Sequence, residues 1–181
     1  MYEHRIICSG FGGQGILSMG EVLAYAGMSE GRFVSWLPSY GPEMRGGTAN
    51  CQVIISEKRI ASPIIVEGTS VIAMNLPSLR KFEKSLDKKG ELLINSSLVK
   101  EKTTDKTAKA LYVPATEIAR ALGNEKVANM VMMGALIQRT KCLQPNSVKK
   151  SLKQVFGNLS EELFNLDVEA IKSGRDYVLG L

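Results

Sequence analysis

Residues 6–15 read IICSGFGGQG, an apolar run followed by a glycine-rich turn, and a helical pattern of apolar residues begins directly after it. A strand, a glycine turn and a helix in this order form a cradle for an anion. Glycine lets the backbone come close to the anion, and the first turn of the helix presents unpaired N–H groups. The spacing G-x-G-x-x-G stands at the first strand-to-helix turn, where a dinucleotide-binding fold places it.

The acid that completes a nicotinamide-binding fingerprint is absent. That acid normally ends the second strand and holds the ribose hydroxyls. Here the second predicted strand, residues 33–37, continues into Pro38, and Glu43 follows only beyond a second proline. Three interpretations of the turn therefore stay open: it binds a phosphate ligand, it packs a helix tightly on a strand, or it contacts a partner subunit.

Apolar segments alternate with helical patterns along the rest of the chain. This alternation predicts an α/β fold with three layers, α/β/α, around a Rossmann-like sheet that is mixed but mostly parallel. Residues 1–181 are expected to form a single domain. The predicted strands are residues 5–9, 33–37, 50–56, 60–65, 70–74, 91–95 and 111–113, with a hairpin turn at Lys58-Arg59. The predicted helices are residues 14–30, 76–86, 115–122, 127–142, 147–156 and 160–174, the fourth of which is apolar nearly all round and is assigned to the core.

The composition is that of an ordinary globular protein, with 44% hydrophobic and 23% charged residues. The net charge of +5 comes from lysines interleaved with acids and accompanied by few aromatic residues. This pattern favours solvated faces over a nucleic-acid interface. No segment approaches the roughly 20 apolar residues of a membrane span, and no signal segment is recognised, so a cytoplasmic location is expected.

The residues most often used in catalysis and metal binding are scarce. Cys8, Cys51 and Cys142 have neither disulfide nor zinc spacing, and we expect them to be buried as small hydrophobic residues. His4, the single histidine, is expected to be solvated at the N-terminus. We therefore predict that this chain contributes no catalytic residue and no metal site.

A second glycine-rich segment follows the second strand: residues 39–48 read SYGPEMRGGT. If the first two strands are parallel, both glycine-rich segments lie at one edge of the sheet, where α/β folds bind ligands. Arg45 is a bidentate donor for phosphate or carboxylate, Glu43 is a structural partner for it, and Tyr40 offers stacking. A segment fixed by an internal Glu43–Arg45 pair is the alternative. The predicted site residues are Gly12, Gly13, Gln14, Gly15, Tyr40, Glu43, Arg45, Gly46 and Gly47.

The two segments together resemble a known family. GFGGQG at residues 10–15, followed by YGPEMRGG at residues 40–47, is similar to the γ subunit of the 2-oxoacid:ferredoxin oxidoreductases, which include pyruvate, 2-oxoglutarate, ketoisovalerate and indolepyruvate enzymes. Residues 71–76, 92–95 and 129–135 resemble it as well, so the resemblance covers most of the chain.

The resemblance implies a part in the oxidative decarboxylation of a 2-oxoacid to an acyl-coenzyme A, with electrons passed to ferredoxin. Thiamine diphosphate, magnesium and iron–sulfur clusters are then expected in companion α and β subunits, with or without a ferredoxin-like δ subunit. Coenzyme A is a possible ligand of the two glycine-rich segments, and the chain alone is expected to be inactive. A stand-alone nucleotide-binding or regulatory module, or a domain that only organises the assembly, remains the alternative.

Overall fold

The computed structural model describes residues 2–39 and 48–181 of the chain. It contains a six-stranded sheet in the order β2-β3-β1-β4-β5-β6. The strands are β1 (Glu3–Phe11), β2 (Phe33–Ser39), β3 (Thr48–Ser56), β4 (Gly68–Ala73), β5 (Leu86–Asn95) and β6 (Lys109–Val113). Strands β1, β4, β5 and β6 are parallel, whereas β3 runs antiparallel to both β1 and β2. The prediction of a mixed, mostly parallel sheet is confirmed.

Six helices accompany the sheet within residues 2–39 and 48–181. They are α1 (Ile16–Ser29), α2 (Leu76–Phe82), α3 (Ala115–Ala121), α4 (Ala128–Thr140), α5 (Pro145–Phe156) and α6 (Glu161–Leu179), with short 3-10 turns at Glu83–Ser85 and Glu125–Val127. Each predicted helix is thus present, with ends shifted by a few residues. Local chemistry sets several ends: Gly31 adopts φ +72° just after α1, and Ser160 caps α6 through its hydroxyl.

The two faces of the sheet are covered unequally. Alternate strand residues such as Cys8 and Ile72 face the larger core, which includes α1, α3, α4, α5 and α6. The residues between them, such as Ile7 and Val71, face a smaller core closed by α2 and by parts of the segments 57–67 and 96–108. Glu83 holds the second of these segments, because its buried carboxylate accepts hydrogen bonds from Thr103 and Thr104.

The predicted hairpin strand at residues 60–65 is wrong. These residues form bends, and Ile65 is held by a hydrogen bond from its N–H to Gln52 Oε1 at 2.5 Å. The physical reason is that β3 already has β1 on one edge and β2 on the other, so it offers no free edge to another strand. Pro63 also lacks the N–H that a ladder requires.

Helix α4 is the central helix of the larger core, as predicted. Each of residues 128–137 is buried. Its backbone touches that of α6 at two glycines: a Cβ atom added at Gly134 would lie 1.9 Å from the Ile171 carbonyl oxygen, and one added at Gly174 would lie 1.8 Å from the Val131 carbonyl oxygen. The contact between α4 and α6 therefore has no room for a side chain at either glycine.

The cysteines and the histidine differ in how well they were predicted. All three cysteines are free and buried, as expected. The contact with Cys51 and burial raise the pKa of the Cys8 thiol, and burial raises the pKa of Cys142 to about 11. The prediction of a solvated His4 is wrong. His4 pairs with Ile55 within the sheet and is half-buried, so burial and the nearby Arg32 lower its pKa.

Candidate functional site

The glycine turn joins the end of β1 to the start of α1. Its backbone closes with a hydrogen bond from the Gln14 N–H to the Phe11 carbonyl oxygen at 3.2 Å. Gly13 has φ +90° and Gly15 has φ +68°, a left-handed conformation that side chains disfavour. Among the described residues, no side chain caps α1 and no acid lies in its first turn. The N–H groups at the start of α1 therefore form a positive end suited to an anion.

Side chains from distant segments fix this turn. The Gln14 side-chain oxygen accepts hydrogen bonds from the Phe11 N–H at 2.7 Å and from Asn75 Nδ2 at 3.1 Å. Asn129, in the first turn of α4, donates from Nδ2 to the Gly15 carbonyl oxygen at 3.0 Å. The Gln14 side-chain oxygen is therefore engaged in holding the turn, which assigns this side chain a positioning role.

The rest of the carboxyl edge of the sheet is also polar. Asn75 follows β4 and caps α2 by accepting from the Ser78 N–H at 2.9 Å. Asn95 ends β5, is fully buried, and donates from Nδ2 to Thr116 Oγ1 at 2.9 Å. A line of amide side chains thus runs along the edge from the glycine turn towards β6, which is the edge at which parallel α/β sheets bind ligands.

Three cavities meet at Gly13. One, of about 300 Å³, lies over the first turn of α1 and reaches Phe11 and Ala49. A second, of about 200 Å³, extends towards Leu98 and Thr116, and a third, of about 340 Å³, extends between α1 and α6. The side chain of Lys126 lines both the second and the third cavity. The described part of the site therefore combines a helix N-terminus, a lysine and room for an extended ligand.

Asp167 lines the third cavity from α6. Its side chain is buried, with 9% of the residue exposed, and burial raises its pKa to about 6. Within residues 2–39 and 48–181, the structure shows no hydrogen bond or ion pair to its carboxylate. A buried acid without a partner is costly for folding and is more common in functional sites than elsewhere.

The cost of burying Asp167 predicts a pH-dependent stability. A raised folded-state pKa means that the native state binds the proton more tightly than the unfolded chain does, so stability is lost as the pH rises from about 4 to about 6. We expect Asp167→Asn to raise the free energy of unfolding by about 1–2 kcal/mol at pH 7.5 and to change it little at pH 4. Urea titrations at the two pH values measure the difference.

Glu169→Gln is the matched control, because Glu169 is an exposed acid on the same helix that pairs with Lys172. It should change the free energy of unfolding by less than about 0.5 kcal/mol at both pH values. An Asp167→Asn variant whose stability gain is equal at pH 4 and pH 7.5 would contradict the proposed burial cost.

Five predicted site residues, Tyr40, Glu43, Arg45, Gly46 and Gly47, lie outside the described residues. The strands that flank them are described. Both β1 and β2 pair antiparallel with β3, so they point the same way, and Phe11 pairs with Thr48 while Ser39 pairs with Asn50. The sequence predicts that both glycine-rich segments lie at one edge of the sheet, on the condition that the first two strands are parallel. Strands β1 and β2 meet this condition.

Residues 5–177 match the protein family described as pyruvate ferredoxin/flavodoxin oxidoreductase. The chain belongs to this family. Two curated relatives are informative. The ketoisovalerate oxidoreductase subunit VorA of Methanothermobacter thermautotrophicus is 38% identical over 97% of this chain, but the chain spans only 36% of VorA. The 2-oxoglutarate synthase subunit KorC of the same organism is 31% identical, over 97% of this chain and 95% of KorC.

Solved structures show the same fold as this family member. A γ subunit of a keto/oxoacid ferredoxin oxidoreductase from Geobacter sulfurreducens superposes with a TM-score of 0.85 and 27% identity, covering 98% of this chain and 99% of that one. The 2-oxoglutarate:ferredoxin oxidoreductase of Magnetococcus marinus, solved with 2-oxoglutarate, coenzyme A and succinyl-CoA, contains the fold in 32% of its chain, with a TM-score of 0.90 over all of this chain at 22% identity. The predicted resemblance and fold class are confirmed.

Groups of metal ligands and helices that could span a membrane are both absent from the described residues. The described residues contain no group of three or more His, Cys, Asp or Glu side chains that could hold a metal ion. None of the helices in the described residues has the length and apolar character needed to span a bilayer.

Sequence reasoning missed four polar residues of the site: Asn75, Lys126, Asn129 and Asp167. The first had a usable signal, since an asparagine that follows a buried strand and precedes Pro77 suits a helix cap at the ligand edge. No signal in the sequence identified Asp167 as a site residue, because an acid within an amphipathic helix normally faces water.

Proposed function

We propose that this chain is the γ-type part of a 2-oxoacid:ferredoxin oxidoreductase and that its glycine turn binds phosphate groups of coenzyme A. The carrying observation is the uncapped N-terminus of α1, framed by Gly13 and Gly15, with three cavities opening from it. Membership of the family supports the assembly, and a complex that shares this fold was solved with coenzyme A.

The whole assembly would convert a 2-oxoacid and coenzyme A into an acyl-coenzyme A and carbon dioxide, passing two electrons to ferredoxin. Companion α and β subunits, with or without a ferredoxin-like δ subunit, would carry thiamine diphosphate, magnesium and the iron–sulfur clusters. We assign this chain a binding role, as a single γ-type domain over residues 1–181. The cytoplasmic location expected from the sequence stays a prediction.

Within this chain the roles follow from position and chemistry. The backbone at Gly12, Gly13 and Gly15 would donate N–H groups to phosphate oxygens, and Gln14 would hold the turn in shape. Lys126 would add a positive charge from the segment before α4. Arg45, with Tyr40, Glu43, Gly46 and Gly47 around it in the sequence, is proposed to supply a second cation to the same ligand.

Assembly is tested by purifying the protein from its native cell and identifying the subunits that accompany it. Co-purification with subunits that hold thiamine diphosphate and iron–sulfur clusters, together with dye reduction that requires both a 2-oxoacid and coenzyme A, is expected. The 2-oxoacid that supports turnover identifies the substrate. A chain that purifies alone and binds a nucleotide would instead support the stand-alone module.

The ligand site is tested by Gly13→Ala in the same complex. Gly13 has φ +90° with nothing within 4 Å of an added Cβ atom, so alanine places a methyl group and a strained backbone directly at the phosphate position. We expect the affinity for coenzyme A, measured by calorimetry, to fall at least about tenfold, equivalent to about 1.4 kcal/mol.

Gly123→Ala is the control, because Gly123 has φ +94° and equally open surroundings but lines none of the three cavities. The control introduces a similar backbone strain, of about 1 kcal/mol, and should leave the affinity unchanged. Equal affinities of the Gly13→Ala and Gly123→Ala proteins would contradict a ligand site at the turn.

A further inference from the structure

The cavity that Asp167 lines differs from the rest of the carboxyl edge because apolar side chains make up a large part of its lining. It is open to solvent and is lined by the start of α1, by the segment that leads into α4, by the end of α5 and by the first half of α6. Gly13, Gly15 and Lys126 line the end next to the glycine turn. Five apolar residues line it as well: Val127, Met130, Phe156, Leu159 and Leu163. The lining thus combines the backbone of the glycine turn and a lysine with a group of apolar side chains.

Asp167 is the acid in this cavity, and Lys126 is the other charged residue that lines it among the described residues. The described structure gives the Asp167 carboxylate no hydrogen-bond donor, and the 9% of the residue that stays exposed is where it lines the cavity. A buried acceptor of this kind is satisfied when a ligand brings a hydrogen-bond donor to it.

The surroundings restrict what that ligand group is. A flexible ammonium group would place a charge among apolar side chains such as Met130 and Val127, whereas a flat heteroaromatic ring covers these side chains with its faces and presents a donor at its rim. Gly13 and Lys126 line the same cavity and suit phosphate. A nucleotide whose base carries an exocyclic amino group has both features in one molecule.

We infer that Asp167 accepts a hydrogen bond from the exocyclic amino group of a purine base whose phosphates lie at Gly13 and Gly15. The inference rests on the proposed function, in which the glycine turn binds the phosphates of coenzyme A, and it adds the residue that recognises the other end of the nucleotide. Asp167 thereby becomes a specificity residue for adenine over purines that lack the amino group.

The test compares two nucleotides on the full-length protein purified with its companion subunits. Adenosine 3′,5′-bisphosphate presents an amino group at the purine 6-position, and purine riboside 3′,5′-bisphosphate carries only a hydrogen atom there and has no N–H donor on its ring. At pH 7.5 we expect calorimetry to show at least about tenfold tighter binding of the adenosine compound, because the purine riboside compound offers the carboxylate no donor.

Asp167→Asn should reduce that preference to less than about threefold, since a side-chain amide can donate to a ring nitrogen that both purines possess. The variant loses a buried charge, so it is expected to fold. Glu169→Gln removes one acid from the exposed part of the same helix and should keep the preference of the unmodified protein.

The preference should also fall as the pH drops below about 6, because Asp167 then takes up a proton and no longer accepts through a carboxylate. Lys126 is the other titratable group that lines the cavity in the described residues. The phosphates of the two nucleotides titrate alike, so their protonation cancels in the ratio of affinities.

The outcomes separate this inference from the proposed function. Binding of coenzyme A that weakens in Gly13→Ala, with a base preference that Asp167→Asn leaves unchanged, overturns the inference alone. Failure of coenzyme A and of both nucleotides to bind overturns the proposed ligand site and this inference with it. Dependence on Asp167 shown by 4′-phosphopantetheine and not by the adenosine compound overturns the assignment of the cavity to a purine.

Discussion

Replacing Gly134 with alanine should lower the free energy of unfolding by at least about 3 kcal/mol. The added Cβ atom would stand 1.9 Å from the Ile171 carbonyl oxygen, 2.7 Å from its carbonyl carbon and 3.0 Å from its Cα atom. All three are backbone atoms of α6, so no change of side-chain rotamer relieves the overlap, and the two helices must move apart. Gly174→Ala places the same overlap on Val131 and should have a similar effect.

Thermal and urea denaturation of the two variants measure this prediction. Gly180→Ala is the matched control, because Gly180 follows the last residue of α6, the helix on the other side of the contact from Gly134, and an added Cβ atom there meets its nearest neighbour at an ordinary 3.6 Å. The control should stay within about 0.5 kcal/mol of the unmodified protein. A Gly134→Ala protein as stable as the Gly180→Ala protein would show that α4 and α6 are not in backbone contact.

If this chain acts in the proposed assembly, replacing Gly15 with alanine should lower kcat/KM for coenzyme A in that assembly by about 100-fold, equivalent to about 2.7 kcal/mol. An added Cβ atom would lie 2.3 Å from Asn129 Nδ2. Asn129 would then have to leave the Gly15 carbonyl oxygen to which it donates, and the first N–H groups of α1 would lose their orientation towards the ligand.

Gly31→Ala separates this effect from backbone strain. Gly15 and Gly31 flank the two ends of α1 with φ +68° and +72°, and an added Cβ atom at Gly31 meets nothing within 4 Å. In both variants the alanine must adopt a left-handed backbone conformation, which costs about 1 kcal/mol. Only Gly15→Ala also disturbs the proposed site. Similar kcat/KM values for the two variants would remove the glycine turn from the binding of coenzyme A.

Local patterns in the sequence predicted most of the fold. The period of the apolar residues marked the helices and most of the strands, and Gly31 marked the end of α1 where a left-handed residue is needed. The strand predicted at residues 60–65 failed because strand pairing is a property of the sheet. Residue periodicity alone does not show that β3 already has two neighbours.

The site was predicted less completely than the fold. The glycine turn was found because its spacing is local, but the direction in which Gln14 turns its side chain depends on Asn75, which lies 61 residues away. Asp167 was not predicted because its burial depends on how α6 packs against α4, and the local sequence gives no indication of that packing. The same holds for the pairing of Gly134 with α6.

The crossing of α4 and α6 also connects the two ends of the proposed ligand. Asn129, which orients the glycine turn, stands one to two turns before Gly134 on α4, and Asp167 stands about one turn before the Ile171 contact on α6. The two glycines thus set the spacing between Asn129, which positions the proposed phosphate end, and Asp167, which lines the cavity from α6. Both the stability of the fold and the affinity for the proposed ligand therefore depend on the contact between α4 and α6. A mutation that moves these two helices apart should lower both the free energy of unfolding and the affinity.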